Sequence, residues 1–232
     1  MTRPVRVAML DSGVYAANPH IQRPVQGGVT ILPEGEQAGF EDRLGHGTAV
    51  CAVLQELAPA ADLFAVKIFD ARLATSLPVV LRAIDWCVHH EMDIINLSLG
   101  TTNDAHRALF MAAIERVCAR GSVVVSAFSM NGALMLPGSL QRVVGVVEDA
   151  ACARDSYSVV ADAEGSVHFA ACPFPLDIAG VPRERNLRGV SFAVAHVSAQ
   201  IARMWPEVQS PVDWVDQLRA RREAGAGRDP SA

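Results

Sequence analysis

Residues 5–13 read VRVAMLDSG, and this stretch decides the fold. Its first six residues are mainly apolar, which predicts a short buried β-strand. Asp11 ends the strand, and Ser12 with Gly13 permits a tight turn directly after it. A strand that is apolar on both faces is typical of a parallel sheet covered on both sides by helices.

Four further runs of the same kind follow along the chain: ADLFAVKI (61–68), DIINLSL (93–99), SVVVSA (122–127) and RVVGVVE (142–148). Helical patterns are predicted at 48–57, 77–90, 104–120 and 192–204. Two later segments, SVHFAA (166–171) and PLDIAG (175–180), are interpreted as added strands, antiparallel to the rest. Strands alternating with helices predict an α/β fold of three layers, with a mostly parallel sheet flanked by helices.

The length and composition indicate one domain. The chain has 232 residues, half of them hydrophobic, which is enough apolar material for one sizeable core. Neither a repeat nor a low-complexity linker interrupts the first 205 or so residues. We expect a single domain over residues 1–218, followed by a flexible C-terminal tail over 219–232.

Composition also excludes several function classes. The net charge of −5 argues against binding to a nucleic-acid backbone. No apolar run reaches the roughly 18–20 residues that a membrane span needs, and no Gly-rich nucleotide-binding motif follows a strand. The five cysteines are odd in number and lack CxxC spacing, which favours reduced thiols. We therefore expect no metal site, no cofactor, no nucleic acid and no membrane association.

Three polar residues stand where functional groups collect in parallel α/β sheets, at strand ends and helix N-termini. Asp11 ends the first strand, His46 lies between two glycines at a helix start, and Ser191 follows a glycine before another helix. Each taken alone is typical of a turn or a helix cap. Together they supply an acid that orients a histidine, a general base and a nucleophile, the three parts that acyl transfer needs.

The extended motifs around these residues resemble one family. MLDSGV (9–14) is similar to its aspartate motif, and Asp42 with His46-Gly47-Thr48 is similar to its histidine motif. GVSFAVAHV (189–197) is similar to its serine motif. With these motifs in this order the sequence resembles the subtilases, the subtilisin-like serine peptidases, from about residue 5 to about residue 205.

This resemblance implies a serine endopeptidase without a cofactor. Asp11 would orient His46, His46 would act as general base and then acid, and Ser191 would attack the scissile carbonyl. His196, inside the serine motif, is expected to be structural.

The resemblance also implies a substrate site. In INLSLG (95–100), Ser98, Leu99 and Gly100 would bind a peptide or protein substrate as an added strand. Phe128 stands where the family has a small residue and would reshape the pocket for the substrate side chain that precedes the scissile bond.

The oxyanion region departs from the family pattern. The position of the family's oxyanion-stabilising asparagine falls on Met130, whose thioether cannot donate a hydrogen bond. Two alternatives remain open. A shift of one residue brings Asn131 into the site, or the side-chain donor is lost, at a cost of about 10²–10³ in kcat.

The N-terminus carries no apolar signal segment, and no acidic loop has calcium-ligand spacing. We therefore expect a cytoplasmic, bacterial enzyme that acts without calcium. A protease in that compartment needs narrow specificity, which favours a processing peptidase that removes a leader from a precursor peptide. The alternative is a pseudoprotease that binds peptides or proteins without cutting them.

Overall fold

The computed structural model describes residues 3–161, 166–207 and 213–226, with the backbone alone over 222–226. Within these residues the chain forms eleven strands, which are β1 (Arg6–Asp11), β2 (Gly27–Leu32), β3 (Gly35–Gln37), β4 (Asp62–Lys67), β5 (Ile94–Leu97), β6 (Val123–Ala127), β7 (Ser129–Met130), β8 (Ala133–Leu134), β9 (Val144–Glu148), β10 (Ser158–Ala161) and β11 (Val167–Ala171). Five α-helices accompany them: α1 (His46–Leu57), α2 (Leu77–His89), α3 (Arg107–Ala119), α4 (Val190–Met204) and α5 (Trp214–Ala226).

Nine of the strands form one sheet in the order β10-β11-β9-β6-β5-β1-β4-β2-β3. The seven central strands run parallel, and only the outermost strands, β10 and β3, are antiparallel to their neighbours. The carboxyl ends of the central strands therefore meet at one edge of the sheet, called the carboxyl edge below. The remaining strands, β7 and β8, form a separate hairpin.

Helices cover both faces of the sheet. On one face α1, α4 and α5 enclose a core that contains Phe169, Phe192 and Leu218, all almost inaccessible to solvent. On the other face α2 and α3 pack over a second core that contains Ile84 and Phe110. The three-layer, mostly parallel α/β architecture predicted from the sequence is confirmed.

The strand predictions hold in the central layer and are partly wrong toward the C-terminus, whereas the helix predicted at 192–204 is observed as α4. SVHFAA forms β11, but this strand is parallel to β9 and antiparallel only to β10. The prediction of a strand in PLDIAG is wrong, because residues 175–180 form bends and a turn in the loop that leads to α4. Short strands β2 and β3 were missed because their glycine-rich sequence lacks a clear apolar run.

Helix α5 runs from Trp214 to Ala226, so the boundary predicted at residue 218 lies inside a helix. Leu218 itself is fully buried, and the ring of Trp214 stacks on that of Trp205 with centroids 5.0 Å apart. The helix is therefore attached to the domain by its first turns. Residues 227–232, the remainder of the predicted tail, lie outside the described residues.

None of the helices in the described ranges is both long enough and apolar enough to cross a membrane.

Candidate active site

The topology brings the predicted site residues to the carboxyl edge. Asp11 is the last residue of β1, and Ser98 follows the end of β5, which pairs directly with β1. Helices α1 and α4 begin at the same edge and pack against each other; they carry His46 and Ser191 in their first turns. Residues 11, 46, 98 and 191, distant in the sequence, thus share one region of the surface.

Asp11 and His46 are in direct contact. Nδ1 of His46 lies 2.7 Å from Oδ1 of Asp11, a distance typical of a charge-assisted hydrogen bond. The same carboxylate oxygen accepts the backbone N–H of Ser12 at 2.8 Å. The Asp11 side chain is 1% exposed and that of His46 15% exposed, so the contact is shielded from water while the imidazole reaches the surface.

Two glycines explain how these segments come so close. A Cβ on Gly13, whose φ is 101°, would lie 2.2 Å from the carbonyl oxygen of Phe40. A Cβ on Gly47 would lie 2.3 Å from the carbonyl oxygen of Gly13. Side chains at either position would separate the turn after β1 from the start of α1, so the glycines of both motifs serve the Asp11–His46 contact.

Asp42 holds the loop that precedes His46. Its Oδ1 accepts the backbone N–H groups of Leu44 and Gly45, and its Oδ2 accepts both the N–H and the hydroxyl of Thr48. Burial opposes ionisation of this carboxyl group, but the hydrogen bonds outweigh it and lower the pKa of Asp42. Because Gly45 supplies no side-chain cap to α1, the ionised Asp42 fixes the first turn of that helix.

The surroundings of His46 favour its protonated form. Burial lowers the pKa of the imidazole, but the hydrogen bond to Asp11 and the charges of Asp11 and Asp42 outweigh burial and raise it. Stabilising the imidazolium is what a general base requires once it has taken a proton.

Ser191 is the second residue of α4, so its backbone N–H is among the first four of the helix, which have no partner within it. Its Oγ donates to the carbonyl oxygen of Ser98 at 3.2 Å. Phe192 follows it, and its ring centroid lies 5.4 Å from that of His46. The predicted nucleophile thus immediately precedes a residue that packs against the predicted base, and its hydroxyl donates to Ser98 rather than to the imidazole.

The predicted substrate segment borders an apolar pocket of about 300 Å³. Leu99 and Gly100 form one wall, and the opposite walls come from the loop after β4 and the starts of α2 and α3, including Leu73, Leu77 and Phe110. Sequence reasoning missed this pocket, because apolar residues on a helix face predict core packing equally well.

Phe128 is not a wall of that pocket. Its side chain is buried, and its ring stacks on that of His168 with centroids 4.2 Å apart and planes at 9°. It borders a different cleft of about 500 Å³, together with Gly138, Val167 and Asp213 among others. The effect of Phe128 on the pocket for the side chain that precedes the scissile bond stays a prediction.

Asn131 lies at the tip of the β7–β8 hairpin and not in a cleft. Its φ of 51° and that of Gly132, 78°, are both positive, as a two-residue type I′ hairpin turn requires. Asn131 is exposed, and the side chain of Met130 is 52% exposed. The Asn-Gly pair thus serves the turn, and this geometry favours the alternative in which the side-chain oxyanion donor is lost.

Two buried groups in the motif regions have ordinary packing roles. Nε2 of His196 lies 3.0 Å from the carbonyl oxygen of Phe174, and burial lowers the pKa of this imidazole. Burial raises the pKa of Cys51 to about 12, so its thiol is not reactive at neutral pH.

No group of three or more His, Cys, Asp or Glu side chains in the described part of the chain is arranged to hold a metal ion.

Comparison with known proteins identifies one matching family and individual relatives with similar sequences. Residues 2–150 match the profile of the Subtilase family. The chain is 33% identical over 136 residues to the thermostable alkaline protease of Halalkalibacterium halodurans, covering 55% of this chain and 36% of that protein. It is 30% identical over 137 residues to the minor extracellular protease Epr of Bacillus subtilis, covering 55% of this chain and 20% of the relative. These matches span well under half the length of either relative.

A solved structure described as a lanthipeptide protease has a TM-score of 0.68 at 17% identity, covering 92% of this chain and 78% of its own. At that identity the likeness concerns the fold. The profile match covers well over half of the chain, and it agrees with the three-layer fold and with the motifs that carry Asp11 and His46. The chain belongs to the subtilase family.

Proposed function

We propose that the protein is a serine endopeptidase in which Asp11, His46 and Ser191 form a catalytic triad. The observation that carries the proposal is the buried 2.7 Å contact between Asp11 and His46, with Ser191 beside them at the N-terminus of α4. Membership of the subtilase family supports the same chemistry, because peptide-bond hydrolysis is the activity from which its members are named.

In the proposed mechanism, Oγ of Ser191 attacks the scissile carbonyl carbon while Nε2 of His46 takes the hydroxyl proton. The resulting tetrahedral intermediate collapses when His46 gives that proton to the leaving amine, which leaves an acyl-enzyme. A water molecule then gives a proton to His46 and attacks the acyl carbon. The second tetrahedral intermediate collapses as His46 returns the proton to Oγ of Ser191, which releases the carboxylic acid product. Asp11 holds the Nδ1–H tautomer and stabilises the imidazolium in both steps. Before substrate binds, the hydroxyl donates to the carbonyl oxygen of Ser98. This is compatible with catalysis, because catalytic hydrogen bonds commonly tighten only in the substrate complex.

The backbone N–H of Ser191 is the oxyanion donor in this proposal. It lies in the first turn of a 15-residue helix, where free N–H groups and the helix dipole both favour negative charge. Asn131 is not included, since it belongs to the exposed hairpin turn.

The substrate would bind in an extended conformation along residues 98–100. Thr101 and Leu136 already exchange backbone hydrogen bonds of 2.9 and 2.8 Å, so the segment is held in β-conformation at its far end. At Gly100 a Cβ would lie 2.9 Å from the carbonyl oxygen of Leu136, which explains the absence of a side chain. The pocket beside Leu99 would accept an apolar substrate side chain.

We further propose a cytoplasmic processing role with narrow specificity, such as the removal of a leader from a precursor peptide. Cys51, Cys87, Cys118 and Cys172 are free thiols, as expected in a reducing compartment, and the solved structure with the similar fold is a lanthipeptide protease. Incubation with casein and with a panel of precursor-like peptides, followed by mass spectrometry, tests this role. We expect one or a few cleavage sites in selected peptides, whereas extensive digestion of casein would overturn it.

A peptide-binding pseudoprotease is the second candidate. The observation in its favour is the exposure of Met130 and Asn131 after β6, where a side-chain oxyanion donor was expected. Saturable peptide binding by folded protein, with no cleavage and no acylation of Ser191, would select it over the peptidase.

The pH dependence of Ser191 reactivity follows from His46. Only the neutral imidazole accepts a proton, and the pKa of His46 is raised above 6.5, so reactivity is lost as pH falls through that raised value. We expect the rate of labelling by a fluorophosphonate to rise with pH, with a midpoint above 6.5. A midpoint below 6.5 would show that Asp11 does not stabilise the imidazolium.

Replacing Asn131 with glycine separates the two alternatives for the oxyanion donor. Glycine adopts a positive φ readily, so the variant keeps the hairpin and removes only the amide side chain. We expect kcat within about threefold of the wild type, whereas loss of a true oxyanion donor costs about 10²–10³. A loss of that size would identify Asn131 as an oxyanion donor.

A further inference from the structure

Three polar side chains beneath Ser191 are buried and bonded to one another. Oγ of Ser198 donates to Oδ1 of Asn96 at 3.0 Å, and Nδ2 of Asn96 donates to Oγ of Ser98 at 2.9 Å. Asn96 and Ser198 are completely inaccessible to solvent, and Ser98 is 8% exposed. We call Asn96, Ser98 and Ser198 the inner clamp.

The inner clamp and Ser191 attach α4 to the end of β5 at two points. The first is the 3.2 Å hydrogen bond from Ser191 Oγ to the Ser98 carbonyl, and the second is the bond from Ser198 to Asn96. Residues 191 and 198 are separated by about two helical turns, so they lie on the same side of the helix. Two attachments at that spacing fix both the axial position of α4 and its rotation about its own axis.

The chemistry of the clamp differs from that of its surroundings. The neighbouring core positions of α4, Val194, Val197 and Ile201, are apolar and pack in the same cluster as Ile94 of β5. Further apolar residues would pack the helix against the strand equally well. Burying an amide and two hydroxyl groups is costly unless these groups are hydrogen-bonded. Here β5 and α4 supply complementary groups, and directional bonds specify one arrangement where apolar contacts tolerate several.

We propose that Asn96 and Ser198 are positioning residues for the nucleophile: through Ser98 they set where the Ser191 hydroxyl lies relative to a bound peptide. This inference rests on the proposed function of Ser191 and adds residues that touch neither the substrate nor the imidazole. Neither residue belongs to the three motifs that indicated the family.

Replacement of Ser198 with alanine tests the proposal, because it removes one oxygen atom and frees α4 at its second attachment. A misplacement of about 1 Å at a reacting group can cost about 10²-fold in rate. We expect the fluorophosphonate labelling rate and kcat to fall by about tenfold or more, with KM for a cleaved peptide within about twofold of the wild type. A loss confined to kcat separates mispositioning of Ser191 from damage to the substrate segment.

The matched control is Tyr157→Phe, which removes another buried hydroxyl bond, that of 2.8 Å to the carbonyl oxygen of Leu218 near α5. The melting temperatures of both variants are measured, and Tyr157→Phe is expected to label at the wild-type rate. The double variant Asn96→Ala/Ser198→Ala should be no slower than Asn96→Ala alone, because both residues act through one clamp.

The outcomes separate the clamp from the proposed function. If the wild type labels at Ser191 and folded Ser198→Ala labels at the same rate, the clamp is overturned and the triad stands. If the folded wild type labels no faster than Ser191→Ala, the proposed function fails, and the clamp as a positioning device fails with it.

Discussion

Replacing His46 with alanine is expected to lower kcat for peptide cleavage by about 10⁶-fold, the size of effect measured when the base of a subtilisin triad is removed. His46 is the only imidazole that contacts Asp11 in the described part of the chain, and it lies beside the residue that follows Ser191. Without it the proposed acceptor of the hydroxyl proton is lost. The variant should still fold, because the side chain lies at the start of α1 and reaches the surface.

The matched control for this substitution is His90→Ala. His90 is exposed just after α2 and stacks on Trp86 with ring centroids 3.9 Å apart, so its loss removes an imidazole without approaching the carboxyl edge. Single-turnover and steady-state assays should show wild-type kcat for His90→Ala. Retention of more than a few per cent of activity in His46→Ala would contradict the assignment of the base.

Replacing Asp11 with asparagine is expected to lower kcat by about 10⁴-fold. Oδ1 of Asp11 accepts hydrogen bonds from both His46 and Ser12, and Oδ2 is buried without a hydrogen bond to any described residue. If the amide keeps its oxygen at the Oδ1 position, its NH₂ group takes the place of Oδ2, which has no partner. If the amide is reversed, its NH₂ group faces the N–H groups of His46 and Ser12, which are themselves donors. In both orientations the negative charge that stabilises the imidazolium is lost.

The pH profile provides a second readout for Asp11→Asn. The contributions that raise the pKa of His46 come mainly from Asp11, whereas the burial that lowers it remains in the variant. We therefore expect the midpoint of the residual activity to move to lower pH. The control is Asp93→Asn, which removes a carboxylate at the opposite edge of the sheet, where it binds Arg3 at 2.6 and 2.8 Å. That variant should lose stability and keep its kcat, and a loss below tenfold in Asp11→Asn would refute the proposed role.

The central layer could be predicted from the sequence because its signals are local. Five apolar runs separated by amphipathic helices place β1, β4, β5, β6 and β9 within two residues of their observed bounds. The edges could not be predicted in the same way. The edge strands β3 and β10 contain no buried residue, so their side chains need not follow an apolar pattern.

The same distinction, between what local sequence signals show and what they do not, applies to the candidate site. The motifs of Asp11 and His46 contain glycines, Gly13 and Gly47, that the close approach of the two segments requires, and Ser191 follows a glycine at a helix start, so local sequence indicated all three. The hairpin that carries Asn131 was not predicted, because alignment by spacing assumes that the loop after β6 follows the course seen in the family, whereas an Asn-Gly pair favours a tight hairpin turn. That dipeptide was the available signal.

Contacts between distant segments were not accessible to sequence reasoning. The pocket beside Leu99 and the inner clamp both arise where helices meet strand ends, and their residues resemble ordinary core positions. A polar Asn96 inside an otherwise apolar strand was the one local sign of the clamp.

The measurement that tests the central claim most directly is the intact mass of the protein after treatment with a fluorophosphonate, with the modified residue located by peptide mapping. We expect a single adduct on Ser191 in the wild type and none in folded Ser191→Ala. Absence of an adduct on folded wild-type protein, or an adduct that persists in Ser191→Ala, would contradict it and favour a peptide-binding subtilase without catalysis.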